Sequence, residues 1–381
     1  MNPPLPTPCG TEVVPMQISG ESQAVQPISS ERLKKGGNNF DFLRLLLASL
    51  VIFGHSSILI DGNNSREPLS QITPEHLSMA ALAVNGFFIL SGFLVLQSWL
   101  KSRGILDYFK KRVLRIYPGY MMACCVSIFL ISPFGAANIS QYLPEIFNAH
   151  YLFLFFKRVI TLRMPAHPGI FEGLAYPSSN GAIWTVRYEF CCYVFVVLLG
   201  LAGIYKKRGW LLVLTAAAYV VYVIQYQFRL KLGSTDIPFL GVLDNWPRFA
   251  TYFGIGMCFY LYRDKFKCTP LLVATSIGFV IAGCFFVKGS AIVLPVFGTY
   301  LLFCIAFSKA IPLQHFGKFG DYSYGVFLYG WPVQTLLIWY FQKQIDPALL
   351  SLLGFAGALL LAFASWHLIE KPFLRLKGSP V

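Results

Sequence analysis

FDFLRLLLASLVIFGH, residues 40 to 55, is almost wholly apolar yet carries Asp41, Arg44 and His55. Continued to about residue 60, a helix rising ~1.5 Å per residue is long enough to cross a hydrocarbon core ~30 Å thick. Ionisable groups inside such a run are costly in lipid, so each is a functional candidate. Arg44 and His55 are separated by close to three full turns and project from one face, with His55 roughly 16 Å further along the axis. Asp41 lies one turn from Arg44 and can pair with it. The arrangement offers a cation near one membrane surface and a proton-transfer group near the midplane. Its bland alternative is a snorkelling arginine with a histidine hydrogen-bonded to a neighbouring helix.

The remainder of the 381-residue chain is built from similar material. It is 56% hydrophobic and only 13% charged, where soluble proteins average roughly 25% charged; its mean hydropathy is +0.59. Ten segments are apolar and long enough to span, near 40–60, 79–99, 117–134, 182–204, 209–228, 244–262, 269–287, 290–308, 321–341 and 347–368. They are too long for barrel strands, and lipid cannot satisfy an open backbone. The expected fold is all-α, a polytopic membrane protein of about ten transmembrane helices occupying residues 39–377. Residues 1–38, rich in Pro, Gln, Ser and Gly without an apolar run, are expected to form a disordered cytoplasmic tail.

The net charge of +14 is gathered in short clusters between apolar runs, the pattern of cytoplasmic loops rather than of a nucleic-acid surface. Loops on the N-terminal side carry twenty Lys and Arg, among them Arg32, Lys34, Lys35, Lys110, Arg112, Arg115, Lys309 and Lys377; the opposite loops carry eight, including Arg66, Arg163, Lys288 and Lys343. With an even span count, this bias puts both termini in the cytoplasm. Residues 99–117 are expected as a basic helix lying on the membrane surface, and 135–181, with Pro144, Pro165, Pro168 and Pro177, as a long outer loop. The nine cysteines, from Cys9 to Cys304, include no CxxC and lie mostly within apolar runs, so they indicate neither a metal site nor a disulfide framework.

Elsewhere the residues with chemistry are few. Arg112 and Arg115 are one turn apart and present guanidinium forks suited to phosphate oxygens; membrane-surface basicity is the competing explanation. Glu189 lies a few residues inside the fourth span, at a depth from which it can orient His55 or hold a hydroxyl, and Arg187 is placed to neutralise it. Trp184 either stacks on a sugar ring or belongs to the interfacial aromatic belt. Asp244 and Arg248 read as a structural i,i+4 pair. His76, His150, His167, His315 and His367 read as solvated or interfacial, and Gly254 and Gly256 as close helix packing.

Six blocks in order resemble the acyltransferase 3 family: FDFLRLLLASLVIFGH itself, NGFFILSGFLV (85–95), KKRVLRIYP (110–118), IWTVRYEF (183–190), YSYGVFLYGWP (322–332) and LIEKPFLRLK (368–377). The resemblance implies a ten-helix enzyme of the bacterial inner membrane. Such an enzyme moves an acyl group, usually acetyl, from cytoplasmic acyl-CoA to a carbohydrate hydroxyl on the far side, as in O-antigen or exopolysaccharide. It implies His55 as the catalytic histidine with Arg44 as its partner, Arg112 and Arg115 beside the donor, and Glu189 as an acidic residue of the site. Many members carry a histidine where this chain has Gly330, so a second catalytic histidine is not available there. Expected partners are therefore acetyl-CoA, a carbohydrate acceptor and lipid, without nucleic acid. A proton-coupled carrier of a glycan or glycolipid is the alternative, since buried Arg, His and Glu also mark transporters; against it, the two halves of the sequence show no internal repeat and no matched pair of Gly/Pro-broken segments.

Overall fold

A computed structural model describes residues 30–33, 36–167, 169–285, 289–308 and 310–377. Residues 1–29, with Cys9, lie outside the described residues, as do Lys34, Lys35, Pro168, Lys288 and Lys309. The described residues are mostly helical, with one two-stranded hairpin among them, Asp236–Ile237 against Gly241–Val242. Ten principal helices are α1 Phe40–Asp61, α2 Met79–Lys101, α3 Ile105–Cys125, α4 Trp184–Leu201, α5 Arg208–Phe228, α6 Trp246–Leu261, α7 Pro270–Phe285, α8 Ser290–Ala306, α9 Ser323–Tyr340 and α10 Pro347–Ser365. Among the described residues six are long and apolar enough to cross a membrane: α1 to α5 and α10, with α3 and α10 extended by the turns that follow them. The other four fall short of that standard. α6, α7 and α8 are only 16 or 17 residues long.

The bundle is organised around α1, which packs against α2 on one side and α9 and α10 on the other. Small residues set these approaches, as expected where lipid supplies no hydrophobic drive between helices. Leu47 fills the place a side chain at Gly86 would take, Gly54 lies against the backbone of Ala80, and Gly330 lies against Ile52. The α2–α6 crossing is tighter and reciprocal. A Cβ at Gly92 would land on the carbonyl oxygen of Phe253, and one at Gly256 on that of Ile89. Close packing at Gly254 and Gly256 is thus observed, the former against Thr215 of α5.

Polar groups inside the bundle are matched to backbone defects. Pro332 interrupts α9, and its missing N–H would leave the Leu328 carbonyl unpaired. Asn180, from the segment ahead of α4, donates its Nδ2–H to that oxygen at 2.8 Å. Gln334 donates to Ile52 O at 2.9 Å and to Ser56 Oγ at 2.7 Å, and Ser56 meets Ser351 Oγ at 2.7 Å, which ties α9, α1 and α10 together. α3 continues into a π-wound turn, Val126–Ile131, whose loosened carbonyls are met by Tyr142 and Ser132 hydroxyls at 2.8 and 2.7 Å. Buried Asn39, just ahead of α1, donates to Ile305 O at 2.9 Å and so ties the start of α1 to α8.

Two sequence expectations change here. The 99–117 segment is not a helix apart from the third span: α3 begins at Ile105 and runs unbroken into it. Its basic residues alternate with a face that buries Tyr108, Ile116 and Tyr120 completely, so Arg112 and Arg115 are carried into the bundle rather than laid on its surface. The long 135–181 loop holds two helices of its own, Ile139–Ile146 and Ala149–Ile160, folded back along α3 through Phe129–Phe155 and Tyr117–Ile160 contacts.

Candidate active site

The face of α1 that carries Arg44 and His55 follows from its neighbours. Leu47 and Gly54 meet α2, while Ile52 and Ser56 meet α9. At ~100° per residue, Arg44 and His55 fall between these directions and point into the wedge between α2 and α9. At the basic end of the wedge lies a cavity of about 480 Å³, lined by Arg44, Lys101, Lys111, Arg112, Arg115 and Lys377 among others. A narrower cavity of about 110 Å³ leads on from it past Arg44, Arg112 and Arg115 to Ser91, Glu189, Tyr193, Phe87 and Phe327.

The cations are organised by a carboxylate that the sequence reading passed over. Asp321, just ahead of α9, bonds Arg115 Nη2 at 2.6 Å and lies 3.4 Å from Arg44 Nη1. Arg44 also pairs with Asp41, as expected. Arg112 reaches Ser98 Oγ at 3.3 Å and lies over the Tyr193 ring, and Arg115 lies over Tyr324. The Nε–H groups of Arg44 and Arg112 are buried without a partner among the described residues. Lys377 has no carboxylate within ion-pair distance among the described residues. Burial first, and then Arg115, Arg112 and Lys111, lower its ammonium pKa to about 7. Orphaned guanidinium donors and a cation repelled by cations give this end of the wedge an excess of positive charge that suits an anion.

Glu189 joins the arginines rather than the imidazole. Its Oε1 accepts from Tyr193 at 2.6 Å and Ser91 at 2.9 Å on the wall of the narrow cavity. His55 does not line that cavity. It lies further out in the same wedge, half-buried, with its ring edge-on to Trp331 at 5.1 Å. Among the described residues no group hydrogen-bonds to the imidazole, so both nitrogens are open to a reactant. Trp184 lines neither cavity: it is 43% exposed and packs on Tyr188 and Phe249. Arg187 does not neutralise Glu189 but bonds Asp236 at 2.8 Å. Nor do Asp244 and Arg248 pair. Asp244 caps the N–H groups of Leu232 and Gly233, while Arg248 donates to Asn85 and to the Ala81 carbonyl. Arg248, Glu75, Tyr222, Tyr226 and Tyr252 instead line a third cavity, of about 680 Å³, at the opposite end from the basic cluster and across α2 from His55. His76 borders this cavity, and His167 pairs with Glu145 at 2.9 Å.

Comparison with known proteins decides what this architecture is. Residues 38–367 match the family model described as an acyltransferase domain, acyltransferase 3. The chain belongs to the acyltransferase 3 family. This acyltransferase is 28% identical over 359 residues to an "O-acetyl transferase" of Shigella phage Sf6, covering 90% of the chain and 97% of the relative. It is 28% identical over 375 residues to "Nodulation protein 10" of Rhizobium leguminosarum bv. viciae, covering 93% and 97%. No solved structure matches this acyltransferase. The match takes in Arg44, His55, Arg112, Arg115 and Glu189, and ends before Lys377.

Proposed function

We propose that this acyltransferase is a transmembrane O-acetyltransferase of the bacterial inner membrane, both termini cytoplasmic, its ten helices all spanning. It takes acetyl from acyl-CoA on the cytoplasmic side and delivers it to a carbohydrate hydroxyl outside. The observation that carries the reading is the single wedge between α2 and α9, with arginines at one end and, further along, an imidazole that makes no hydrogen bond among the described residues. The family supplies acyl transfer, and a relative named as an O-acetyl transferase supports acetyl. The donor's phosphates lie against Arg44, Arg112 and Arg115, whose bidentate forks suit them. Glu189, with Ser91 and Tyr193, lines the passage of the pantetheine arm. At His55 the imidazole takes the acceptor's hydroxyl proton as the alkoxide oxygen attacks the thioester carbonyl. The C–S bond then breaks, and the proton passes to the departing thiolate. The cavity lined by Tyr222, Tyr226 and Arg248 offers ring faces and hydrogen-bonding groups to the glycan on the outer side.

The test uses purified full-length chain with acetyl-CoA and a candidate surface glycan, following free thiol and glycan-bound ester. His55→Ala is expected to abolish both while the protein still inserts. Normal ester formation by that variant removes His55 from the mechanism; glycan uptake into vesicles without thiol release favours a carrier.

A further inference from the structure

Between the donor cavity and His55 the wedge is closed. Phe87 of α2 and Phe327 of α9 both line the outer part of the narrow cavity, and their rings meet at 5.9 Å between centroids, inclined at 64°. Trp331, whose ring touches the imidazole, lies one turn beyond Phe327 on the same face of α9. The two rings therefore stand at a level between Arg44 and His55. Phe327 is buried, and α9 is held in place there by the Asn180 and Gln334 hydrogen bonds on either side of Pro332. The contact between the two rings is apolar packing, with Thr185 on the wall of the same cavity, and it opens by rotation about side-chain bonds.

We propose that Phe87 and Phe327 form an aromatic partition that the acyl group must pass to reach His55, and that this partition sets the acyl chain admitted and keeps water off the thioester. The inference rests on the assignment of acyl-CoA to the basic cavities and of proton transfer to His55. With the partition removed, water takes the acceptor's place. Its oxygen attacks the thioester carbonyl, His55 accepts its proton, the C–S bond breaks, and the proton passes from His55 to the departing thiolate, giving a carboxylic acid and free CoA thiol.

The experiment needs no glycan. Purified full-length protein in lipid nanodiscs is given acetyl-CoA or butyryl-CoA, thiol release is followed, and binding of free CoA is measured in parallel. Phe327→Ala is expected to raise thiol release above wild type and to move preference toward butyryl-CoA by about tenfold, the scale at which apolar pockets discriminate methylenes. Phe327→Trp is expected to fall below wild type. Addition of His55→Ala to Phe327→Ala is expected to return release to background. Wild-type release and chain-length preference in both Phe327→Ala and Phe87→Ala, with CoA still bound, would overturn the partition. Release that rises but survives loss of His55 keeps the partition and refutes the base. Absence of CoA binding by the wild type itself refutes the donor assignment on which both stand.

Discussion

Replacing Lys377 by Met is expected to abolish a proton uptake that accompanies binding of free coenzyme A. The ammonium shares its cavity with Lys101, Lys111, Arg112, Arg115, Arg44, Asp41 and Asp321. Its pKa is lowered to about 7 by burial and then by Arg115, Arg112 and Lys111, with Asp321 opposing. At pH 8 only about a tenth of unliganded molecules then carry this proton. Phosphates in the cavity supply the missing counter-charge and return the group toward the ordinary lysine value of ~10.4. Each CoA bound at pH 8 therefore takes up about 0.9 proton. The phosphates are already fully ionised at that pH and contribute none. Affinity for CoA is expected to be flat below about pH 7 and to fall about tenfold per unit between roughly 7.5 and 10. The stability of the unliganded chain should move the other way. The folded-state value lies below the unfolded one, so the unfolded chain holds more protons between about 7 and 10, and stability rises with pH through that window. Calorimetry of CoA binding in two buffers of different ionisation enthalpy measures the uptake directly. Binding without uptake at pH 8, or an equal uptake in Lys377→Met, would refute the reasoning.

Two further outcomes test the scaffold. Gly92→Ala and Gly256→Ala each force a methyl onto a facing carbonyl of the α2–α6 crossing, at a cost of roughly 1–3 kcal/mol; thermal unfolding in detergent should show lowered Tm for both, and an unchanged Tm would mean the crossing is loose. Asn180→Leu should cost about 1–3 kcal/mol by stranding the Leu328 carbonyl. In a Pro332→Ala background the restored N–H can satisfy that oxygen, so the same change should cost much less, and strict additivity of the two substitutions would contradict the account.

The helices were legible because apolar length is a direct demand of the membrane, and Asp41, Arg44 and His55 stood out against it. The grouping of Arg44 with Arg112 and Arg115 was equally readable, since basic residues of loops on one side are bound to meet at one end. Partners were harder. Asp244 and Arg248 have ideal helical spacing, yet the N–H groups of Leu232 and Gly233 and the side chain of Asn85 offer each a better tertiary bond. Arg187 similarly turns to Asp236, in a hairpin that no periodicity announced. Asp321 was missed because its partners lie on α1 and α3, far away in the chain; a lone carboxylate at the mouth of an apolar run was the signal. Phe87 and Phe327 could not be singled out among 35 phenylalanines, since only the approach of α2 to α9 distinguishes them.

Asp321 has a consequence for turnover. Because one carboxylate already engages both Arg44 and Arg115, the guanidinium groups stay aimed at one place when nothing is bound. An arriving anion exchanges with a resident one, and gains only the difference between the two. With acyl-CoA as the proposed donor, grip on its nucleotide end is thereby kept modest, and a spent carrier is displaced as readily as a fresh one is admitted.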